Sequence, residues 1–181
     1  MVLLRADMQV LASFLQAYCP KVAKELNRLH VDLLSICSEW FLTWFAKSLP
    51  ISTVLRVWDT LFFEGFKVQG PDPEQIWGMC SLALHVSQVF FRIAIGIFKR
   101  VEQEIMKCQS FDVVMERAKG WPRSMVEHNE LLKASFDGLP SFRRQALLRA
   151  RNEALSKIER EDLERMKLAE TRLAQVASGR G

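Results

Sequence analysis

Residues capable of metal-binding or nucleophilic chemistry are few and widely separated in this sequence. The chain has four cysteines, no two of which form a C-x-x-C pair, and no histidine lies at ligand spacing from them. This spacing favours neither a zinc site nor a disulfide framework, and we predict no metal and no cofactor. Buried free thiols are the better interpretation of the four cysteines, which are Cys19, Cys37, Cys80 and Cys108.

Catalysis by histidine is also disfavoured. Around His30, His85 and His128 the sequence offers no serine or cysteine together with a carboxylate in an arrangement that suggests a catalytic triad. A triad assembled in space stays open at this point. We interpret each of the three as an ordinary surface or core histidine.

A charged pair, Arg56 and Asp59, lies three residues apart on either side of Trp58. Such a pair could contact a partner, or it could orient its helix and bond to neighbouring loops, and we favour the structural role. For Trp58, and likewise for Trp40 and Trp44, a place in the core is a better interpretation than a ligand platform.

The composition is that of a folded protein. Of the 181 residues, 49% are hydrophobic, and twelve Phe and five Trp supply ample material for a packed core. The length allows one domain, or one domain with a tail. No apolar run approaches the roughly 18–20 residues that cross a bilayer, and the N-terminus does not resemble a signal peptide. We therefore expect a cytoplasmic protein without a transmembrane segment.

The net charge of +4 comes entirely from the C-terminal part. Residues 1–140 hold fifteen basic and fifteen acidic side chains, whereas residues 141–181 hold ten basic and six acidic ones. A neutral globular part without a basic stripe argues against nucleic-acid binding.

Apolar periodicity predicts an all-α protein. Asp7 is the expected N-cap of a first helix that ends before Pro20. The apolar face of this helix consists of Val10, Leu11, Phe14 and Leu15. A second amphipathic segment is expected to bury Val22, Leu26 and Leu29.

The strongest helical pattern covers residues 33–45 and ends at Leu49-Pro50, because a residue before proline is pushed out of the helical region. Its apolar stripe comprises Leu33, Ile36, Cys37, Trp40, Phe41, Trp44 and Phe45. The next helix is expected to be capped by Ser52 and to stop at Gly65. The residues that this helix should bury are Val54, Leu55, Trp58, Leu61 and Phe62.

Residues 89–98 are apolar on almost every side, which is typical of a helix at the centre of a bundle. A buried strand is the alternative on periodicity alone. The polar continuation of this segment through Val101, Ile105 and Met106 favours a long helix.

Three further helices are expected towards the C-terminus. Two are short and cover residues 111–118 and 124–136, and the third is a long, solvated helix within residues 141–181. A sustained coiled coil is disfavoured because charged residues interrupt the heptad pattern. The third helix carries four i,i+4 pairs of opposite charge, each worth a few tenths of a kcal/mol: Glu153/Lys157, Lys157/Glu161, Arg160/Glu164 and Glu161/Arg165.

Four motifs follow one another between Asp32 and Val68. They are Glu39-Trp40-Phe41-Leu42, Leu49-Pro50, Leu55-Arg56-Val57-Trp58-Asp59 and Glu64-Gly65-Phe66-Lys67-Val68. Their order and spacing closely resemble the C-terminal half of the TBC domain, the helical module of GTPase-activating proteins for Rab GTPases. The likeness extends upstream to Ala6–Leu11, downstream to Phe91-Arg92-Ile93-Ala94, and more loosely to Leu131–Arg151.

The resemblance implies an antiparallel multi-helix array like the C-terminal lobe of a TBC domain, and a Rab-type small GTPase as partner. In active members an arginine finger lies in an I-x-x-D-x-x-R motif and a glutamine finger in a Y-x-Q motif. Both belong to the N-terminal half of the domain, and this chain is expected to begin after them. Arg56 does not match the arginine-finger motif. We interpret the likeness of residues 75–80 to the sequence around the glutamine finger as a coincidence. We therefore expect no catalytic residue.

The resemblance also implies a domain organisation. Residues 1–140 should form a partial TBC domain, and residues 141–181 a charged helical tail. Residues 69–88 should be an insertion, since the family's E-G-x-K-V turn runs directly into an F-R-x-A helix. We expect a surface excursion there, because a segment that opens with Gly70-Pro71-Asp72-Pro73 cannot begin as a helix. Half a domain should expose an apolar face, which predicts self-association or marginal stability.

Three functional hypotheses follow. The first is a truncated Rab-GAP domain protein, without catalytic residues of its own, that binds a small GTPase or partner protein and regulates vesicle trafficking. The second is one part of an active GTPase-activating protein whose fingers lie on a missing N-terminal half or another chain. The third and least favoured is binding of nucleic acid or a membrane surface by the 141–181 helix. Contact with endomembranes is expected only through a GTPase partner.

Overall fold

Helices account for all the regular structure in the part of the chain that can be described. This computed structural model describes residues 2–67, 79–137, 139 and 144–178. Within those ranges it contains nine α-helices, one short 3₁₀ helix and no strand, which confirms the all-α prediction. The helices are α1 (Val2–Tyr18), α2 (Pro20–Arg28), α3 (Leu33–Leu42), α4 (Ile51–Lys67), α5 (Met79–Arg100), α6 (Glu102–Ile105), α7 (Phe111–Ala118), the 3₁₀ helix (Pro122–Ser124), α8 (His128–Phe136) and α9 (Arg144–Ser178).

Helix α5 forms the centre of the bundle, as its apolar sequence predicts. It contacts α1, α4, α6, α8 and α9. Rings from two other helices pack around Phe91, since Phe14 and Phe41 each have their centroids 5.5 Å from it. Burial of so much apolar surface is the main stabilising contribution to the fold. The fully buried residues of α5 are Phe91, Ile93, Ala94, Ile95, Ile97 and Phe98.

Helices α5 and α8 run antiparallel. Arg92 of α5 lies over the ring of Phe136 at the end of α8, with 5.0 Å between the guanidinium carbon and the ring centroid. Arg100 at the end of α5 forms an ion pair of 2.7 Å with Glu130 near the start of α8. Because the later residue on α5 meets the earlier residue on α8, the two helices point in opposite directions.

A glycine permits the close contact between these two helices. Gly96 faces Ser135 of α8, which is fully buried and donates its hydroxyl to the carbonyl of Leu131 at 2.7 Å. A Cβ on Gly96 would overlap Ser135 Oγ and would lie 3.1 Å from Ser135 Cβ. A side chain at residue 96 would therefore push α5 and α8 apart.

Asp7 is not the N-cap of α1, and that prediction was wrong. The helix begins at Val2, so Asp7 lies inside it, where an ion pair of 2.6 Å joins its carboxylate to Arg151 of α9. Both side chains are only 16% exposed. Burial raises the pKa of Asp7 above its ordinary value, and the nearby Arg151 charge offsets part of this effect. On the predicted apolar face of α1, Val10, Leu11 and Leu15 are buried and Phe14 is partly buried.

Helix α3 ends well before Leu49-Pro50, where we expected it to end. Its last residue is Leu42, and Trp44 and Phe45 have left-handed backbone conformations. The apolar stripe predicted through residue 45 therefore stops at Phe41. At this end the amide and the hydroxyl of Thr43 both donate to the carbonyl of Glu39, at 3.0 and 2.7 Å.

Helix α4 differs from its prediction at both ends and on its buried face. Ser52 lies inside the helix rather than at its cap, and the helix continues past Gly65 to Lys67. Leu55 and Phe62, which we expected to be buried, are exposed. The buried residues of α4 are Thr53, Val54, Val57 and Leu61.

A buried hydrogen bond holds α4 in this rotation. Thr53 is fully buried, and its hydroxyl donates to the carbonyl of Met125 at 2.7 Å. A buried hydroxyl is costly unless it is bonded, so this bond favours the orientation in which Thr53 faces inward. The face of α4 that carries Leu55 consequently turns outward.

The helices predicted near the C-terminus are confirmed. Helix α7 covers the expected residues, α8 begins at His128 rather than at residue 124, and α9 is long. The first half of α9 is not solvated as we expected but packs on α1, where Arg5 pairs with Asp162 at 2.8 Å. Among the side chains of α9 that the structure describes, the buried ones are those of Leu147, Ala154 and Ile158.

The predicted insertion is only partly within the described residues. Residues 68–78 lie outside them, and residues 79–88 form the first turns of α5. This second half of the expected excursion therefore continues the central helix. None of the helices described is both long and apolar enough to cross a membrane.

Replacing Gly96 with alanine is expected to lower the free energy of unfolding by about 1–3 kcal/mol, because the new methyl group overpacks the contact between α5 and α8. Urea denaturation followed by circular dichroism measures this change. Combining Gly96→Ala with Ser135→Ala removes the overlapping hydroxyl and should recover part of the loss. A single variant as stable as the wild type would contradict the close packing of the two helices.

Replacing Arg151 with methionine is expected to destabilise the protein in a pH-dependent way. Folded Asp7 holds its proton more tightly than the unfolded chain does, so its ionisation costs stability as the pH rises through its raised pKa. Without Arg151 this cost is uncompensated. The variant should lose about 2–3 kcal/mol at pH 7 and less at a pH below the pKa of Asp7.

Two further variants serve as controls in the same denaturation series. In an Asp7→Asn background the effect of Arg151→Met should no longer depend on pH. Arg5→Met, which breaks the more exposed pair with Asp162, should cost at most about 1 kcal/mol. An Arg151→Met loss that is the same at acid and neutral pH would mean that the Asp7 charge is not its cause.

Candidate interaction surfaces

The cysteines are buried and free wherever the structure describes their side chains. This holds for Cys19, Cys37 and Cys108, as predicted, while the side chain of Cys80 lies outside the described residues. Burial raises the pKa of Cys19 to about 11 and that of Cys37 well above its ordinary value, so both thiols stay protonated and unreactive at neutral pH. The described residues contain no group of three or more potential metal ligands.

The Arg56–Asp59 pair lies on the outer side of α4. The two groups approach to 3.8 Å, and both side chains are largely exposed. Within the described part of the chain neither side chain bonds to a neighbouring loop, which is not the role that we expected. Of the histidines, His30 is exposed and His128 is half-buried, and the side chain of His85 is not among those described.

Helix α3 ends in a turn made by two aromatic residues, Trp44 and Phe45. Their φ angles are 52° and 62°, a region that glycine usually occupies after a helix. The amide of Phe45 donates to the carbonyl of Trp40 at 2.8 Å, which closes the turn. Full burial of Phe45, whose ring lies 5.5 Å from that of Phe90, offsets a backbone strain of about 1–2 kcal/mol per residue.

This turn carries Trp44 out of the core, where we wrongly expected it. Trp44 is 42% exposed, Trp58 is partly buried, and only Trp40 is fully inside as predicted. The ring of Trp44 packs edge-on against Phe90 at 5.7 Å, and its carbonyl accepts a hydrogen bond of 3.0 Å from Trp58 Nε1. Trp44 is therefore held beside α4.

Apolar side chains form an exposed stripe along α4, next to Trp44. Residues 51, 55, 58 and 62 have the i, i+4, i+7 and i+11 spacing that places side chains on one face of a helix. Ile51 is 72% exposed, Leu55 52% and Phe62 49%. We call these residues, with Trp58 and Trp44, the α4 stripe.

The α4 stripe is a sizeable exposed apolar patch. If a large side chain has roughly 150–250 Å² of surface, the exposed fractions amount to about 500 Å². Contiguous apolar patches on monomers rarely exceed a few hundred Å². Its size is within the range of the largest apolar patches on monomers, which often serve binding.

A groove of about 560 Å³ lies between α1, α2 and α3, and Lys157 of α9 also lines it. We call it the α1 groove. Its apolar floor includes the buried residues Met8 and Leu26. The residues of α1 that it leaves most accessible are Ala12, Ser13 and Gln16, and two of these have small side chains that leave room for an incoming segment.

Charged side chains of both signs line the α1 groove. Arg5 and Lys157 each have an acidic neighbour on α9, with Asp162 at 2.8 Å from Arg5 and Glu161 at 4.0 Å from Lys157. Asp32 accepts a backbone hydrogen bond of 3.0 Å at the start of α3. A lining that mixes apolar, amide and charged groups is typical of transient protein interfaces.

Neither surface was identified from the sequence. The α4 stripe has a detectable signal, because residues 51, 55, 58 and 62 form a second apolar row beside the buried row of the same helix. The α1 groove has no such signal, since its lining comes from four helices and includes alanine, serine and glutamine at no fixed spacing.

Known proteins are similar to this chain over most of its length. The family described as the Rab-GTPase-TBC domain matches residues 1–106. Growth hormone-regulated TBC protein 6 of Caenorhabditis elegans is 36% identical over 138 residues, which is 75% of this chain and 36% of that protein. Human TBC1 domain family member 2A is 28% identical over 165 residues, 90% of this chain and 16% of that protein. Mouse TBC1 domain family member 10A is 45% identical over 65 residues, 36% of this chain and 13% of that protein.

The chain spans 36% or less of the length of these relatives. No solved structure matches it at a significant level. The family match covers more than half of the 181 residues and includes the motifs of α3 and α4 that carry the resemblance. The chain therefore belongs to the Rab-GTPase-TBC domain family.

Proposed function

We propose that this chain is a truncated, non-catalytic Rab-GAP-family protein that binds a small GTPase of the Rab class and helps to regulate vesicle trafficking. Family membership supports the choice of partner. One observation carries the non-catalytic part: the 181 residues contain neither finger motif, and the single tyrosine, Tyr18, is followed by Cys19-Pro20 and not by x-Gln. The chain would then lie in the cytoplasm, peripheral to endomembranes through its GTPase.

The missing fingers matter because of the charge that develops during GTP hydrolysis. An arginine finger stabilises the transferring phosphoryl group and contributes roughly 10³–10⁵-fold in rate, while a glutamine orients the attacking water. Arg56 is a poor substitute, since Asp59 lies 3.8 Å from it and would repel a phosphate. A chain without either finger can hold a GTPase and leave its intrinsic rate unchanged.

The α1 groove is the proposed binding surface for the GTPase. Its exposed small side chains leave room for a protein segment, and the amides of Gln9 and Gln16 offer both hydrogen-bond donors and acceptors. Regulated binding needs a partner that comes and goes, and a mixed polar and apolar lining suits such an interface. The more apolar α4 stripe resembles a permanent interface instead.

The alternative function is that of one part of an active GTPase-activating protein. The chain spans only a small share of the length of its relatives, and this observation favours the alternative. The fingers could then come from an N-terminal half or from another chain. This alternative also requires GTPase binding, but it adds stimulation of hydrolysis once the fingers are supplied.

Single-turnover GTP hydrolysis by a panel of Rab GTPases tests the catalytic part of the proposal. With this chain alone in excess, the rate is expected to stay within about twofold of the intrinsic rate, because nothing stabilises the transition state. An intact TBC-domain activator serves as the positive control. Large stimulation by the chain, lost when one of its own arginines is replaced by alanine, would contradict the proposal. Stimulation only after adding a protein that carries both finger motifs would favour the alternative.

Filling the α1 groove is expected to weaken GTPase binding. Ala12→Trp places a large ring on the accessible side of α1 and should raise the Kd by about tenfold or more, measured by calorimetry with the tightest-binding GTPase of the panel. Ala17→Trp is the matched control, since Ala17 is exposed on the same helix but does not line the groove. If the two variants have equal Kd values, the groove is not the binding surface.

A further inference from the structure

The α4 stripe is bordered by charges of both signs on a single flank of its helix. Successive residues turn by about 100° around a helix, so Asp59 lies beside the row of Ile51, Leu55 and Phe62. Arg56 lies further round on the same flank. We propose that two copies of this chain pair through the α4 stripe, with their α4 helices antiparallel about a twofold axis.

Antiparallel pairing makes the stripe complementary to itself. When the axis passes between Leu55 and Trp58, Leu55 of each copy faces the partner's Trp58. Ile51 of each copy then faces the partner's Phe62. A twofold axis produces an interface in which the same patch serves both copies. At each step an aliphatic side chain meets an aromatic one, so that large and smaller groups alternate and can interdigitate.

The same axis brings opposite charges together. It keeps equal flanks of the two helices on the same side, so Arg56 of one copy approaches the partner's Asp59, and the reciprocal pair forms as well. Within one copy the two groups are 3.8 Å apart and largely exposed, which leaves both able to bond across the interface. In a parallel pairing about a twofold axis, equal flanks lie on opposite sides of the helix pair, so these reciprocal Arg56–Asp59 pairs would not form.

The area of this surface is adequate for a dimer. The apolar part of about 500 Å² and the exposed parts of Arg56 and Asp59 together approach the roughly 800 Å² per partner of standard interfaces. The apolar character of the stripe favours a second copy over a transient partner, because permanent homodimer interfaces are the more hydrophobic class. The dimer does not depend on the proposed GTPase binding, since the α1 groove uses no residue of α4.

Sedimentation equilibrium of the full chain at micromolar concentrations tests the pairing. The wild type is expected to show a monomer–dimer equilibrium, and Leu55→Glu should raise the dimer Kd by about tenfold or more. Leu163→Glu in α9 is the matched control, since Leu163 and Leu55 are both 52% exposed, and it should leave the dimer unchanged. A strictly monomeric wild type would overturn the proposal. So would dissociation by Leu163→Glu and not by Leu55→Glu, which would assign self-association to α9.

Two charge variants test the antiparallel register. Arg56→Glu makes the flank acidic, and Asp59→Arg makes it basic. In a homodimer of either variant the charges on the two flanks have the same sign, so no ion pair forms across the interface. Each variant alone should therefore dimerise about tenfold more weakly than the wild type. Mixed in equal amounts, they should form heterodimers in native mass spectrometry, because every acidic flank then faces a basic one. A mixture without enrichment of heterodimers would overturn this register. Both residues are exposed, and unchanged thermal unfolding curves would show that the fold is kept.

Discussion

A helix that is apolar on all sides has to be covered on all sides, and this constraint organises the whole bundle. Helix α5 meets it by packing against five other helices, and its backbone comes very close to Ser135 of α8. Gly96 permits this approach, because it has no side chain that would meet Ser135. Rings of Phe14 and Phe41 cover Phe91, and rings of Trp40 and Trp121 lie beside Phe98.

Packing against α5 also determines which face of α4 is exposed to solvent. One face of α4 packs inward and is held there by the bond between Thr53 and Met125. The L-R-V-W-D motif is consequently divided, with Val57 in the core and Leu55, Arg56 and Asp59 outside. A motif that identifies the family thus contributes Val57 and the partly buried Trp58 to the fold, and three residues to the surface. The exposed part of such a motif is free to serve binding, since the fold does not use it.

The features predictable from the sequence are those that depend on neighbours in the chain. Apolar periodicity located the apolar part of α5 and the buried residues of α1, and the Pro20 break was placed correctly. The expected continuation of α5 through Met106 was wrong, since α5 ends at Arg100 and a separate helix follows. Features fixed by distant residues were missed. Asp7 is a residue type that often caps helices, but here it bonds to Arg151, which lies 144 residues away. The sequence around Asp7 does not indicate this partner. The α1 groove was missed for the same reason, because it exists only once four helices meet.

The turn at Trp44 and Phe45 illustrates a second reason for error. A left-handed turn after a helix is normally signalled by glycine, and here two aromatic residues occupy it. Both fit the periodicity of α3, so the sequence pattern continues through a point where the helix stops. The turn is held by burial of the Phe45 ring and by the bond from Trp58 to the Trp44 carbonyl. Tertiary contacts worth more than the local strain therefore override the local preference.

The two proposed surfaces would reinforce each other on a membrane. A dimer paired through α4 would present two α1 grooves, and GTPases attached to one membrane are held at high local concentration. Once one groove is occupied, the second encounter becomes intramolecular, so that avidity can exceed the affinity of a single groove by about 10²–10⁴-fold. Weak binding in each groove would then be sufficient for stable attachment.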